Sequence, residues 1–151
     1  MTSQASTIAT QHIHCQDIPY VEIGGGVQRR IVQARVDEGM LVSQVLAQPG
    51  AASLLHRHLA PVSGFTTEGA WGHDDRFLYT PGTYVFEPPG IVHQFLNGDA
   101  VSSAVFISFG SSEWLDPQTL EVVGSSTPKQ TLAGYFEACE SQGLPRPNLL
   151  T

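Results

Sequence analysis

The sequence predicts an all-β barrel or sandwich of one domain with a single carboxyl-terminal α-helix, and three observations carry that expectation. Only 14% of the 151 residues are charged, against the quarter or so that is usual, while 15 glycines and 10 prolines punctuate short apolar runs. The runs between these breaks alternate with the period of two that a strand requires. Beyond residue 126 the period changes to that of a helix, and a chain of this length buries enough surface to form one core.

Taken in order, residues 1–17 are rich in Ser, Thr and Gln and read as a flexible arm, residues 18–126 as the barrel, and residues 127–151 as a helix and tail. Residues 18–23 read as a short strand, turned by Gly24-Gly25-Gly26 into residues 27–36, which are rich in β-branched side chains. Asp37-Glu38-Gly39 is a turn, residues 40–46 a further strand, and Pro49-Gly50 the next break, so these pieces follow one another as antiparallel strands. Residues 64–67 form a strand, Glu68-Gly69 a turn, and residues 70–72 a return strand that breaks at His73-Asp74-Asp75. Residues 83–87 alternate, with Tyr84 and Phe86 on one face and Val85 on the other, until Pro88-Pro89-Gly90 forces a turn from which His93 opens the next strand. Residues 101–109 are apolar or small at both parities, which suits a strand buried on both faces. Thr127-Pro128-Lys129-Gln130 has the form of a capping box with proline at the first helical position. Leu132, Tyr135, Phe136 and Cys139 then recur at helical spacing until Gly143 and Pro145. That apolar stripe is expected to pack on the outside of the barrel or on a neighbouring subunit.

A formal charge of −7 argues against a nucleic-acid partner, which would require clustered Lys and Arg, and suits a small neutral or weakly acidic organic ligand better. Cys15 and Cys139 lie far apart in sequence and suggest neither a disulfide framework nor a CxxC site. No run approaches the ~18 apolar residues of a membrane span, and the first twenty residues lack a signal-peptide pattern. A cytoplasmic protein with no membrane partner is the expectation.

The chemistry rests on histidines. His56 and His58, at i and i+2 of a strand, project together while Arg57 points away, and His93 has a turn-fixed address. If both strands line one barrel, three neutral imidazoles converge, a set that suits Zn, Fe, Cu or Ni with open coordination positions. His12-Ile13-His14 has the same spacing but sits in the polar arm without a turn-defined partner, so no metal role is expected there. No Ser-His-Asp constellation is recognisable, and Gly24-Gly25-Gly26 lacks the spacing and following helix of a phosphate loop.

Gly50, His56, His58 and Gly69, and then Gly82, Pro88, Gly90, His93 and Asn97, resemble the two motifs of the cupin superfamily. The second motif is matched at every fixed position; in the first, Val62 stands where many cupins place a glutamate ligand. The run from His56 to Trp71, with Tyr84 to Gly90, is similar to the dioxygenases that cleave 2,4'-dihydroxyacetophenone and, more distantly, to acetylacetone dioxygenase. The resemblance implies a small β-barrel (jelly roll) and homo-oligomers, dimers or tetramers. It also implies a non-haem Fe(II) held by His56, His58 and His93, and cleavage of a carbon–carbon bond beside a ketone with O2. The acetophenone-cleaving enzymes also carry a carboxylate near the iron, in the strand after the counterpart of Trp71. Here that segment reads Gly72-His73-Asp74-Asp75, so Asp75 or His73 is available as a fourth ligand if the strand persists; the alternative is a solvated turn.

Three neutral histidines leave the metal's dipositive charge to be balanced by substrate, which favours an anionic, bidentate enolate of a hydroxyketone or diketone. Val62, Phe65, Trp71, Tyr84, Phe86, Phe95 and Phe106 are candidates to line an apolar pocket for an aryl group, each equally at home as ordinary barrel packing, with Gln94 and Asn97 as candidate polar contacts. Two other readings use the same ligands. One is a non-redox isomerase or hydrolase with Zn, Ni or another divalent metal, and the other is a metal-bearing small-molecule sensor.

Overall fold

The structure is a computed structural model that describes residues 9–151; the first eight residues of the expected flexible arm lie outside the described residues. From residue 9 the arm lies on the body, with Ile13 packed against the core and a 3-10 turn at Cys15–Asp17. Twelve strands follow among the described residues: β1 (Val21–Gly24), β2 (Val27–Arg35), β3 (Met40–Ala47), β4 (His56–His58), β5 (Val62–Glu68), β6 (Trp71–Gly72), β7 (Tyr84–Glu87), β8 (Val92–His93), β9 (Leu96–Asn97), β10 (Ser102–Phe109), β11 (Ser112–Leu115) and β12 (Val122–Ser126). Helix α1 (Pro128–Ser141) closes the series. No helix among the described residues is long and apolar enough to cross a membrane.

A six-stranded sheet in the order β1-β2-β3-β10-β5-β7 faces a four-stranded sheet in the order β12-β11-β4-β8, with β6 and β9 pairing as a small third sheet. Side chains from β2, β3, β5 and β10 on one side and from β4, β8 and β11 on the other line a single cavity of about 430 Å³. The expected all-β fold with one terminal helix is therefore present. Its first strand is shorter than expected: Pro19 has no N–H for a ladder, so Ile18 is buried in a loop and pairing starts at Val21. Strand β10 has a ladder on both edges but a cover on one face only. Ser102 and Ala104 are buried, whereas Ile107 and Phe109 open onto the outer surface, against the expectation of burial on both faces.

The capping box forms as the residues predict, Gln130 N–H donating to Thr127 Oγ1 at 3.1 Å and Thr127 N–H to Gln130 Oε1 at 2.9 Å. The helix packs against the barrel strands β1, β2 and β12. A bulge at Val32 lets Ala34 rejoin the face of Ile31, which opposes Ser43, as Arg29 opposes Val45 and Val27 opposes Ala47. Tyr135 and Cys139 pack on that same cavity-facing side, against Ile18, Val21, Ile31, Ala34 and Leu41, and Tyr135 Oη donates to Pro19 O at 2.7 Å. One apolar cluster thus seals the cavity at the helix end.

A second cluster of Val27, Ala47, Ala51, Trp71, Val85, Phe95 and Ala104 lies on the other side. Trp71 is fully buried, stacks on Phe95 at 4.7 Å between ring centroids, and donates through Nε1 to Thr66 Oγ1 at 2.8 Å. Gly69 allows this corner: its φ is +69°, and a Cβ there would stand 2.3 Å from Val101 O.

Asn97 holds the corner shut. Its Nδ2 lies 3.1, 2.7 and 2.9 Å from the carbonyls of Ala47, Gln48 and Ala100. Asn97→Ala should remove the amide donor from the buried Ala47 carbonyl and from the more exposed carbonyls of Gln48 and Ala100, and destabilise the fold by roughly 2 kcal/mol in urea unfolding; a loss under about 1 kcal/mol would show that water replaces the amide.

Candidate metal centre

Strand β4 sends His56 and His58 off one face, and its antiparallel partner β8 sets His93 directly opposite His56. Ring centroids are 5.0 Å apart for His56 and His58, 4.6 Å for His56 and His93, and 5.3 Å for His58 and His93. Flanking groups fix their aim. His56 Nδ1 donates to Leu54 O at 2.7 Å, His58 Nδ1 lies 3.1 Å from Ser112 Oγ of β11, and the turn glycine Gly90 donates its N–H to His58 O at 2.8 Å. A proton on His56 Nδ1 leaves its Nε2 as a lone pair, and that atom faces His93 Nε2 at 3.0 Å. Such an approach demands a proton or a cation between the two nitrogens. A neutral His93 with its hydrogen on Nε2 satisfies that approach without a metal; burial disfavours only a second proton on the ring, and His93 Nδ1 has no partner among the described residues.

A carboxylate completes the cluster. Glu87, the last residue of β7, is buried with Oε2 3.3 Å from His58 Nε2 and 3.5 Å from His93 Nε2. Its Oε1 accepts from His73 Nε2 at 3.0 Å. His73 stacks parallel on His93 at 4.4 Å, and Tyr79 Oη donates to His73 Nδ1 at 3.3 Å. Two overlapping groups result, His56-His58-His93 and His73-Glu87-His93, each with candidate ligand atoms within 4.8 Å of one another.

Burial pushes the Glu87 carboxyl up, but hydrogen bonds from His58 and His73 and the adjacent imidazoles outweigh it, and the net displacement is well below the ordinary carboxylate range. Burial pushes His93 down to about 3 against the pull of Glu87, and burial also lowers His56 against its bond to Leu54. At neutral pH the cluster therefore offers neutral imidazoles at His56 and His93 beside one anionic oxygen. The donor set fits a borderline divalent ion such as Zn, Fe or Ni.

The residues expected from sequence divide clearly. His56, His58 and His93 come together, and His73 joins them through Glu87. Asp75 does not: β6 ends at Gly72, the chain turns, and Asp75 is exposed in that turn. Val62, Trp71, Phe95 and Phe106 line the cavity. Phe65, Tyr84 and Phe86 do not, because β5 and β7 turn Val62, Gly64 and Thr66, and Val85 and Glu87, inward; the three aromatics are 47%, 64% and 54% exposed on the outer face. Gln94 and Asn97 are committed to backbone carbonyls, Gln94 Nε2 donating to Ser53 O at 2.7 Å, and neither lines the cavity. His12 and His14 are exposed and lie outside the cluster. The sequence reading missed Glu87, Tyr79, Ser112 and Arg29. The available signal for Glu87 was its parity with Val85 in a strand ended by Pro88.

The sequence profile of the ChrR Cupin-like domain family matches residues 9–113. No curated protein matches the chain in sequence. Among solved structures, an RmlC-like cupin from Ralstonia eutropha is similar with a TM-score of 0.81 at 18% identity, covering 96% of each chain. A second Ralstonia eutropha protein of cupin-like fold gives 0.81 at 20% identity over 95% of this chain and 96% of its own. An acetylacetone dioxygenase from Acinetobacter johnsonii gives 0.73 at 14% identity over 91% and 97%. At these identities the likeness is one of fold.

Two outcomes follow from the site. His93 and Glu87 both have folded pKa values below their ordinary ones, so each contributes stability that is present above the ordinary value and lost as pH falls. The melting temperature of metal-free protein should fall on acidification, the His93 share between pH 6.5 and about 3. His93→Gln should flatten that part, and an unchanged slope would contradict a neutral buried His93. Glu87→Gln should weaken metal affinity about 10–100-fold in a competitive titration, as loss of a supporting carboxylate does, while Asp75→Asn should leave it unchanged; the reverse ranking would restore Asp75 to the site.

Proposed function

Since the chain belongs to the ChrR Cupin-like domain family, we propose that it is a non-haem Fe(II)-dependent dioxygenase that cleaves a carbon–carbon bond of an aryl hydroxyketone or a diketone with O2. The observation that supports this reading most is the convergence of His56, His58 and His93 on Glu87 inside a cavity walled by Trp71, Phe95 and Phe106.

His56, His58 and His93 would hold the iron, with Glu87 beside it or bound to it. The metal supplies Lewis acidity, which favours loss of a proton from a chelating ketone, and access to dioxygen. The chain supplies the rest. Glu87, held ionised by its hydrogen bond from His73 and, once His58 Nε2 is a ligand, by the metal's own charge, offsets part of the dipositive charge, so a monoanionic enolate suffices to neutralise the site, in contrast to the charge balance of three neutral histidines alone. Glu87 is a carboxylate lining the cavity, but its depressed pKa makes it a weak base, so its part is to balance charge and orient His73 rather than to abstract the substrate's proton. Trp71, Phe95 and Phe106 exclude water and offer flat surfaces to an aryl group.

The partner proposed for the outer face is a second copy of this chain. Phe65, Tyr84, Phe86, Ile107 and Phe109 expose a contiguous apolar surface on β5, β7 and β10, with Phe65 directly opposite Tyr84.

Anaerobically Fe(II)-loaded protein given 2,4'-dihydroxyacetophenone should consume one O2 per ketone and release 4-hydroxybenzoate and formate, read by oxygen electrode and mass spectrometry, with acetylacetone as the diketone comparison. Conversion of ketone without O2 would contradict this reading and favour a non-redox enzyme; tight binding without any conversion would favour a sensor. In light scattering, Phe86→Glu should reduce the assembly to monomers, and an unchanged assembly would place the contact elsewhere.

A further inference from the structure

Every arginine of the chain but one has a visible partner. Arg57 pairs with Glu113 at 2.6 Å, Arg76 with Asp74 at 2.5 Å, and Arg35 with Glu38. Arg30 donates to Gln44 Oε1 at 2.5 Å, and Arg146 lies over the Phe136 ring at 3.9 Å. Arg29 is the exception. It stands in the middle of β2, opposite Val45, on the face it shares with Val27 and Ile31, and it lines the cavity. Its Nε is buried without a hydrogen-bond partner, and its guanidinium forms no ion pair among the described residues.

Holding an always-charged fork beside Val27, Ile31 and Val45 without an ion pair among the described residues is unfavourable. Desolvation depresses its pKa, with the Tyr135 phenol as the opposing influence. The single carboxylate lining the cavity among the described residues, Glu87, is already committed to His58 and His73. Among the described residues Arg29 is also the only Lys or Arg lining the cavity, on the opposite sheet from the three histidines, with the Ser43 hydroxyl on the same face, opposite Ile31.

We infer that the cavity binds a small organic anion whose carboxylate is held bidentately by Arg29, so that among the hydroxyketones and diketones proposed above the preferred substrates are those that carry a carboxylate for Arg29 with their ketone at the histidines. A guanidinium presents parallel N–H donors that match a carboxylate, and in an apolar wall that pairing discriminates strongly against a neutral isostere. The ketone half of this assignment rests on the function proposed above; the carboxylate half does not.

The test uses chelator-treated full-length protein at pH 8 and two probes of one shape, benzoate and benzamide, titrated by calorimetry. Benzoate should bind at least about 10-fold more tightly than benzamide. Arg29→Met should bring the two to parity and melt at or above the wild-type temperature, since an unpaired buried charge has been removed. Should that variant not fold, Arg29→Gln gives the same reading and should also lose the preference. Equal affinities in the wild type, including no binding of either probe, would overturn the inference, as would a benzoate preference that survives in the arginine variants. A wild type that prefers benzoate yet neither loads metal nor consumes oxygen would defeat the proposed function and leave this site standing.

Discussion

The site depends on one pairing, the antiparallel register that sets His56 of β4 opposite His93 of β8. Strands of three and two residues could not hold that register alone. β4 is fixed on its other edge by β11, where Trp114 opposes His56 and Ser112 opposes His58. The turn between β7 and β8 adds the rest. It leaves the six-stranded sheet at Glu87 and enters the four-stranded sheet at Val92, and Gly90, at φ +83°, ties it back to His58 O. Seven residues thus deliver a carboxylate from one sheet and an imidazole from the other to a common point.

Around that point the fold keeps space open rather than filling it. The helix cluster of Tyr135 and Cys139 closes one end, and the Trp71 cluster braces the other. Between them lie polar groups that a purely structural core would exclude: a carboxylate, four imidazoles and an arginine without an ion-pair partner among the described residues. Buried polar groups that are only partly satisfied reduce stability, and proteins retain them where function requires them. Glu87 shows the balance well, since burial opposes its charge and two imidazole hydrogen bonds more than restore it.

Much of this was legible in the residues. Turn chemistry located β2, β3, β5 and β7, the spacing of His56 and His58 put them on one face, and Thr127 to Gln130 marked the helix start. What was not legible depended on parity and on long-range pairing. Alternation in β7 separates Tyr84 and Phe86 from Val85 and Glu87 but does not say which face is inward, and aromatic character pointed to the wrong one. Two residues of strand before the turn at His73 were too few to carry Asp75 inward. The bulge at Val32, which turns Ala34 toward the helix, leaves no mark in composition. Arg29 reads in sequence as one of two adjacent arginines, and only the register separates the unpaired one from Arg30.

The most direct test of the convergent cluster is X-ray absorption at the metal edge of protein loaded with one equivalent of Fe(II) or Zn under anaerobic conditions. Scattering from three imidazoles, reduced to two in His93→Ala, is the predicted result. A metal with two or fewer imidazoles in the wild type, or one whose spectrum His93→Ala leaves unchanged, would contradict the account.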